Sequence, residues 1–205
     1  GYEEIPAWIM QGYGTMAMEA GEQLKAQGCE RPTHIFVQAG VGSLAGAVVG
    51  YFANLYADNP PTFVVVEAEA AACLYKGAAA GDGDIRIVDG DMQTIMAGLA
   101  CGEPNTISWD ILKNHVKVFI AAPDWVAANG MRMLAAPIKG DASITSGESG
   151  AAPFGALAAM TTLDEYEQLK KDIGLDENSR VLLFSTEGDT DPDRYKNIVW
   201  KGLDK

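Results

Sequence analysis

The stretch Thr33-His34-Ile35-Phe36-Val37-Gln38-Ala39-Gly40-Val41-Gly42-Ser43-Leu44-Ala45-Gly46 decides the fold. Residues 33–37 favour a β-strand, and residues 44–56 are apolar on nearly all sides. This pattern predicts a buried strand that leads through a glycine loop into a buried helix. Glycines let the backbone approach a ligand, and a helix N-terminus carries partial positive charge, so the loop is typical of a phosphate site. A turn that serves only tight packing is the alternative.

The sequence around this stretch predicts a parallel sheet. Further strands are expected at 62–67, 117–121 and 180–184, and continuous apolar strands of this kind are typical of sheets covered on both faces. Helices are predicted at 6–27, 44–57, 69–78, 108–114, 123–136, 151–160 and 163–173, with a last helix from Pro192. Thr162-x-x-Glu165 matches a capping box for the helix at 163–173. We therefore expect an α/β fold, a mostly parallel doubly wound sheet of four or more strands with helices on both faces, in a single domain over residues 1–205.

The composition argues against several partners. Lys and Arg total 15 against 28 Asp and Glu, and the resulting net charge of −13 disfavours nucleic acid and anionic membrane surfaces. Apolar stretches are shorter than the roughly 20 residues that a spanning helix needs. Three cysteines, Cys29, Cys73 and Cys101, show no C-x-x-C spacing, which favours free buried thiols in a cytoplasmic protein. A bridge between Cys73 and Cys101 stays open.

Polar segments follow or precede elements of the predicted sheet at three places. They are 39–43, 146–150 and 185–189, and ligands bind beyond the carboxyl ends of parallel strands. Their convergence would form a pocket with a phosphate cradle, a carboxylate and hydroxyls. Neither His34 nor His115 has a triad partner in the sequence. No metal site is expected, because Asp189 and Asp191 lack a third ligand and Asp191 is better explained as a helix cap.

Four motifs in order resemble one enzyme family. They are Ala39-Gly40-Val41-Gly42-Ser43, Met96-Ala97-Gly98-Leu99-Ala100-Cys101-Gly102-Glu103-Pro104, Ser146-Gly147-Glu148-Ser149-Gly150 and Ser185-Thr186-Glu187-Gly188-Asp189-Thr190-Asp191. Together they resemble the diaminopropionate ammonia-lyases, which belong to the tryptophan-synthase-β-like, fold type II family of pyridoxal-phosphate enzymes. The likeness runs from Gly1 to about Trp200.

The resemblance implies roles for individual residues. The cofactor is pyridoxal 5′-phosphate, and its phosphate is held by Gly40, Val41, Gly42, Ser43 and Leu44. Glu148 approaches the cofactor ring. Ser185, with Thr186 as the near alternative, places a hydroxyl opposite the pyridine nitrogen. A neutral hydroxyl leaves that nitrogen largely unprotonated, which makes the ring a weaker electron sink and suits β-elimination.

The resemblance covers only the C-terminal half of such an enzyme. In the family, the Schiff-base lysine, the grip on the substrate carboxylate and the acidic proton-transfer residue lie upstream, so no catalytic residue is assigned here. The chain starts at Gly1 without an initiator Met, which suggests a fragment or a processed product. The complete enzyme is expected to convert the amino acid 2,3-diaminopropionate to pyruvate and ammonia. This segment is expected to be inactive alone, and to form a homodimer or to associate with an N-terminal portion.

Two other functions remain open on the sequence. The chain could be a non-catalytic half-protein that binds phosphate-bearing ligands or associates with itself. It could also be a nicotinamide-dinucleotide-binding Rossmann domain, with Gly40, Gly42 and Gly46 in the fingerprint and Glu67 at the end of the next strand. The glycine loop alone does not choose among these cofactors.

Overall fold

The sheet has four parallel strands. A computed structural model describes residues 3–204. The strands are β1 (His34–Gln38), β2 (Thr62–Ala68), β3 (Val116–Ala122) and β4 (Val181–Leu183), in the spatial order β3-β2-β1-β4. Each neighbouring pair runs parallel, and Phe36 of β1 lies between Val64 of β2 and Leu183 of β4. The predicted parallel α/β architecture is confirmed.

Helices cover both faces of the sheet. They are α1 (Glu4–Ala26), α2 (Ser43–Leu55), α3 (Cys73–Ala80), α4 (Thr106–His115), α5 (Asp124–Ala135), α6 (Glu148–Thr162), α7 (Glu167–Ile173) and α8 (Pro192–Val199). Side chains alternate along a strand, so each face of the sheet builds its own core. Phe36 and Val64 pack towards α5 and α6, whereas Ile35 and Val65 pack towards α2 and α4.

Helices α5 and α6 cross at backbone contact. A Cβ on Gly155 of α6 would lie 2.0 Å from the carbonyl oxygen of Val126, and one on Gly130 of α5 would lie 2.6 Å from that of Ala151. Only glycine permits this approach. The crossing fixes where the N-terminus of α6 lies relative to the sheet.

The predicted capping box is wrong, whereas the predicted cap at Asp191 is present. Thr162 is the last residue of α6, and its hydroxyl donates to the carbonyl of Ala158 at 2.7 Å. A short 3₁₀ turn at Asp164–Tyr166 then separates α6 from α7. The apolar packing of α6 continues the helix through Thr162, so this residue is not available as a cap. At α8, Asp191 Oδ1 accepts from the backbone N–H of Arg194 at 3.0 Å.

The structure also bears on the cysteines and on membrane and metal binding. All three cysteines are free thiols; Cys73 is buried and Cys29 half-buried, but Cys101 is exposed, so the expectation of burial is wrong there. Cys101 follows the 3₁₀ turn at Ala97–Leu99, in an irregular segment outside both cores.

Within residues 3–204, no helix has both the length and the apolar character to cross a bilayer. The same residues contain no cluster of three or more potential metal ligands.

Candidate functional site

A cavity of about 320 Å³ lies where β1 and β4 end. Residues 40–44 of the glycine loop line it, together with Ser149, Thr186 and Glu187. Gly98, Leu99 and Cys101 also line it, and Tyr13 and Gln38 complete the lining. The fold therefore brings together the segments 39–43, 146–150 and 185–189, as the sequence predicted.

The glycine loop presents unpaired backbone donors. Gly42 is the N-cap of α2 and has φ +99°, a conformation that other residues adopt only with strain. No hydrogen bond within residues 3–204 uses the backbone N–H groups of residues 40–44. The loop carbonyls are occupied instead, since Val41 accepts from the backbone of Asn105 at 2.8 Å and Gly42 from that of Gly46 at 2.7 Å. Free donors at a helix N-terminus are the chemistry that an anion requires.

The hydroxyl of Ser43 adds a donor to this loop. Ser43 Oγ accepts from the side-chain amide of Asn105 at 2.9 Å, so its own proton stays free. The same Asn105 caps α4 by accepting from Ile107 N at 3.0 Å and Ser108 N at 3.3 Å. Sequence reasoning missed Asn105 because it predicted the helix from residue 108, whereas α4 begins at Thr106, directly after this capping residue.

A glutamate already fills the N-terminus of α6. Glu187 Oε2 accepts from the backbone N–H groups of Ser149, at 2.6 Å, and Gly150, at 3.3 Å. The hydroxyl of Ser149 accepts from Gly98 N at 3.2 Å, which links the start of α6 to the segment with Gly98 and Leu99. Since a carboxylate occupies this helix start, the N-terminus of α2 is left for an anionic ligand.

Glu148 does not line the cavity. Its carboxylate is almost fully buried and pairs with Arg194 of α8, with 3.3 Å between Oε1 and Nε. Burial raises the pKa of Glu148, the charges of Glu187 and Asp191 raise it further, and the guanidinium of Arg194 opposes them. The side chain that the resemblance assigned to the cofactor ring faces α8 in this structure.

The two hydroxyls at the end of β4 have different surroundings. Ser185 Oγ lies 2.8 Å from Ser146 Oγ, and Ser185 lines a neighbouring groove beside α1. Thr186 lines both that groove and the cavity. Its Oγ1 accepts from the side-chain amide of Gln38 at 3.0 Å. The sequence assigned no individual role to Gln38 or Glu187, because their hydrogen-bond partners lie far from them along the chain.

The dinucleotide alternative depended on Glu67, and the structure buries this carboxylate away from any ligand. Glu67 is 1% exposed, and its oxygens accept from Leu74 N at 2.9 Å and Tyr75 N at 2.6 Å. Burial raises the pKa of Glu67 to about 7, against the two backbone donors that lower it. Gly46 serves packing, since a Cβ there would lie 2.9 Å from the side chain of Ser108. Glu67 is thus a buried cap of α3 and is not accessible to a dinucleotide.

A family model described as "Pyridoxal-phosphate dependent enzyme" matches residues 3–186, a range that includes the glycine loop and Thr186. The chain belongs to this family. Among pyridoxal-phosphate dependent enzymes, the diaminopropionate ammonia-lyase of Salmonella typhimurium is 53% identical over 203 residues, which cover 98% of this chain and 50% of that protein. The diaminopropionate ammonia-lyase of Escherichia coli K12 is 48% identical over 202 residues, with the same coverage.

A solved pyridoxal-phosphate dependent enzyme shares the fold closely. It is the Escherichia coli diaminopropionate ammonia-lyase in complex with an aminoacrylate-PLP azomethine reaction intermediate, with a TM-score of 0.91 and 46% identity. The match covers 100% of this chain and 51% of that one, so the chain spans about half the length of the relatives it matches. The resemblance found in the sequence is confirmed. In the part of the chain that the structure describes, no lysine lines the cavity.

Proposed function

We propose that this chain provides the phosphate and ring side of a pyridoxal 5′-phosphate site in a diaminopropionate ammonia-lyase. The reaction converts 2,3-diaminopropionate and water to pyruvate and ammonia. The observation that carries the cofactor site is that the backbone N–H groups of residues 40–44 have no partner within residues 3–204 and border a cavity of about 320 Å³. Support for the reaction comes from relatives of that name, which match 98% of the chain.

The cofactor phosphate binds at the glycine loop. The backbone N–H groups of residues 40–44 and the hydroxyl of Ser43 would donate to its oxygens, and the α2 dipole would add to the attraction. The chain has a net charge of −13, so its carboxylates repel an anion. The attraction from the loop N–H groups and the α2 dipole offsets this repulsion. Backbone donors also need no reorganisation when the ligand enters.

Residues of the loop and of the segment after β4 would hold the cofactor ring. The hydroxyl of Thr186 would donate to the ring nitrogen, whereas the hydroxyl of Ser185 is hydrogen-bonded to Ser146. When bound, pyridoxal phosphate supplies an aldehyde for the substrate amine and a ring that withdraws electrons from the carbon that loses its proton. A neutral donor there would keep the ring nitrogen unprotonated, which would make the ring a weaker electron sink and suit loss of the β-amino group. Glu148 acts indirectly, by joining α6 to α8 through Arg194.

The lysine that holds the cofactor and the base for the α-proton come from sequence equivalent to the other half of the relatives. This part of the proposal is supported by the absence of a lysine among the cavity-lining residues of the described chain. The 205-residue chain alone is therefore expected to be inactive. Its assembly with a complementary portion or as a homodimer, and its cytoplasmic location, remain predictions.

The proposal is tested with the product of the whole gene and with the 205-residue chain. The gene product, supplied with pyridoxal phosphate, should release two ammonia per pyruvate from 2,3-diaminopropionate, measured through lactate dehydrogenase and glutamate dehydrogenase. The chain alone should bind pyridoxamine 5′-phosphate, which has no aldehyde to react with surface lysines, and should release no pyruvate. A gene product that releases no pyruvate, or a chain that releases it above background, contradicts the proposal.

A self-associating half-protein is the second candidate. Helix α1 exposes large apolar side chains, with Ile5 51%, Trp8 59% and Ile9 47% exposed. These residues recur at helical spacing and form an apolar stripe. Light scattering tests this candidate: a dimer of the 205-residue chain that Trp8→Glu dissociates supports it, and a wild-type monomer rejects it.

A further inference from the structure

The amide of Gln38 is held in one orientation at the end of β1. Gln38 is 2% exposed, and its Nε2 lies 2.9 Å from the carbonyl oxygen of Phe184 and 3.0 Å from Thr186 Oγ1. A carbonyl oxygen only accepts hydrogen bonds, so the contact with Phe184 identifies the nitrogen end of the amide. The oxygen end cannot take that position without losing the bond.

This orientation determines what the hydroxyl of Thr186 does. An amide nitrogen donates and does not accept, so Thr186 Oγ1 accepts from Gln38. The proton of Thr186 must then point elsewhere, and it meets no acceptor within residues 3–204. Thr186 lines the cavity, so its proton is available to an occupant.

The oxygen of the same amide lacks a partner. Gln38 Oε1 is buried and accepts no hydrogen bond from the described residues. Buried polar atoms in native proteins are nearly always paired. Gln38 also lines the cavity. The hydrogen bonding of this corner is therefore incomplete without a bound molecule, which argues against a purely structural bridge between β1 and β4.

We propose that Gln38 is a positioning residue for the cofactor ring, which acts by holding Thr186 as a hydrogen-bond donor. The site thereby selects phosphate-bearing pyridines whose ring nitrogen carries no proton. This inference rests on the proposed function, because it takes the ring to lie beside Thr186. If Gln38 only joined β1 to β4, its replacement would lower stability, and the effect of that replacement on affinity would not depend on the hydroxyl of Thr186.

A double-mutant cycle separates these two roles. Affinities for pyridoxamine 5′-phosphate are measured for the 205-residue chain and for Gln38→Met, Thr186→Val and the double variant. Loss of one hydrogen bond corresponds to about a tenfold weaker affinity, so Thr186→Val should weaken binding by about tenfold. Gln38→Met should weaken binding several-fold by itself, but less than about twofold in the Thr186→Val background.

The matched control is Ser185→Ala, which removes the neighbouring hydroxyl that Gln38 does not contact. Its effect should add to that of Gln38→Met. A second readout is the pKa of the bound ring nitrogen, followed by absorbance. Donation from Thr186 should hold this pKa below that of free pyridoxamine phosphate, and Gln38→Met should raise it. A variant that only loosened the strands would not move the ring titration.

Inorganic phosphate distinguishes failure of this inference from failure of the proposed function. Phosphate contacts only the loop, so its affinity should be the same in wild type and in Gln38→Met. If the wild type binds neither phosphate nor pyridoxamine phosphate, the proposed function and this inference both fall. The other case is a wild type that binds both phosphate and pyridoxamine phosphate. If Gln38→Met then weakens pyridoxamine phosphate binding by the same factor with and without the Thr186 hydroxyl, only the role of Gln38 is overturned.

Discussion

Replacing Glu67 by glutamine should remove a pH dependence from the stability of this chain. The Glu67 carboxylate is 1% exposed, and its burial raises the pKa from the usual 4.5 to about 7. The folded state therefore binds this proton more tightly than the unfolded state does. Protonation favours folding, so the stabilisation is fully present below pH 4.5 and is lost as the pH rises through 7.

The size of the effect follows from the shift. One pKa unit corresponds to ~1.4 kcal/mol, so the free energy of unfolding should fall by ~2–3 kcal/mol between pH 5 and pH 8 through this group. The two backbone donors from Leu74 and Tyr75 already oppose the shift and are included in the raised value. In Glu67→Gln this contribution is absent at every pH.

Urea unfolding followed by circular dichroism at pH 5, 6, 7 and 8 measures the difference. The stability of wild type minus that of Glu67→Gln should decrease across this range by ~2–3 kcal/mol. Other carboxylates, including Glu148, titrate in both proteins and cancel. Glu22→Gln, on an exposed part of α1, is the control and should leave the wild-type dependence unchanged. A difference that stays constant within ~0.5 kcal/mol would refute the reasoning, because it would mean that Glu67 has the same pKa in both states.

Three further predictions concern the loop, its support and the helix crossing. Gly42→Ala should weaken pyridoxamine phosphate binding at least tenfold. The control is Gly28→Ala, which is also at positive φ but has no atom within 4 Å of the new Cβ. It should lower the free energy of unfolding by only ~1 kcal/mol, measured with urea, and leave the affinity unchanged. Asn105→Asp keeps the α4 cap but cannot donate to Ser43, so calorimetry should show weaker phosphate binding at nearly constant stability; an unchanged affinity would exclude Ser43 as a donor. Gly155→Ala should destabilise the chain by ~2–3 kcal/mol or more, measured by urea unfolding, because its Cβ would meet a carbonyl oxygen at 2.0 Å; a loss below ~0.5 kcal/mol would mean that the helices separate easily.

Much of the fold could be predicted because its signals are local. The strand at His34–Gln38, the glycine turn and the buried helix that follows are consecutive, and each part constrains the next. The cap at Asp191 is local as well, since its acceptor and donor are three residues apart. The failed capping box shows the limit of such signals: Thr162 and Glu165 have the spacing of the pattern, but packing of α6 against α5 keeps Thr162 inside the helix as its last residue.

The sequence by itself determined the parallel α/β class, the glycine loop at residues 40–44 and the family, because the apolar periodicity, the glycine spacing and the order of the motifs can be recognised without any tertiary contact. The tertiary structure decided which polar groups face the cavity. It paired Glu148 with Arg194, placed Glu187 at the start of α6 and left Thr186 on the cavity, hydrogen-bonded to Gln38. Gln38 and Thr186 are 148 residues apart in the chain, and only the pairing of β1 with β4 brings them to hydrogen-bond distance. Burial, charge and hydrogen-bond direction depend on such neighbours, which is why the site chemistry required the fold.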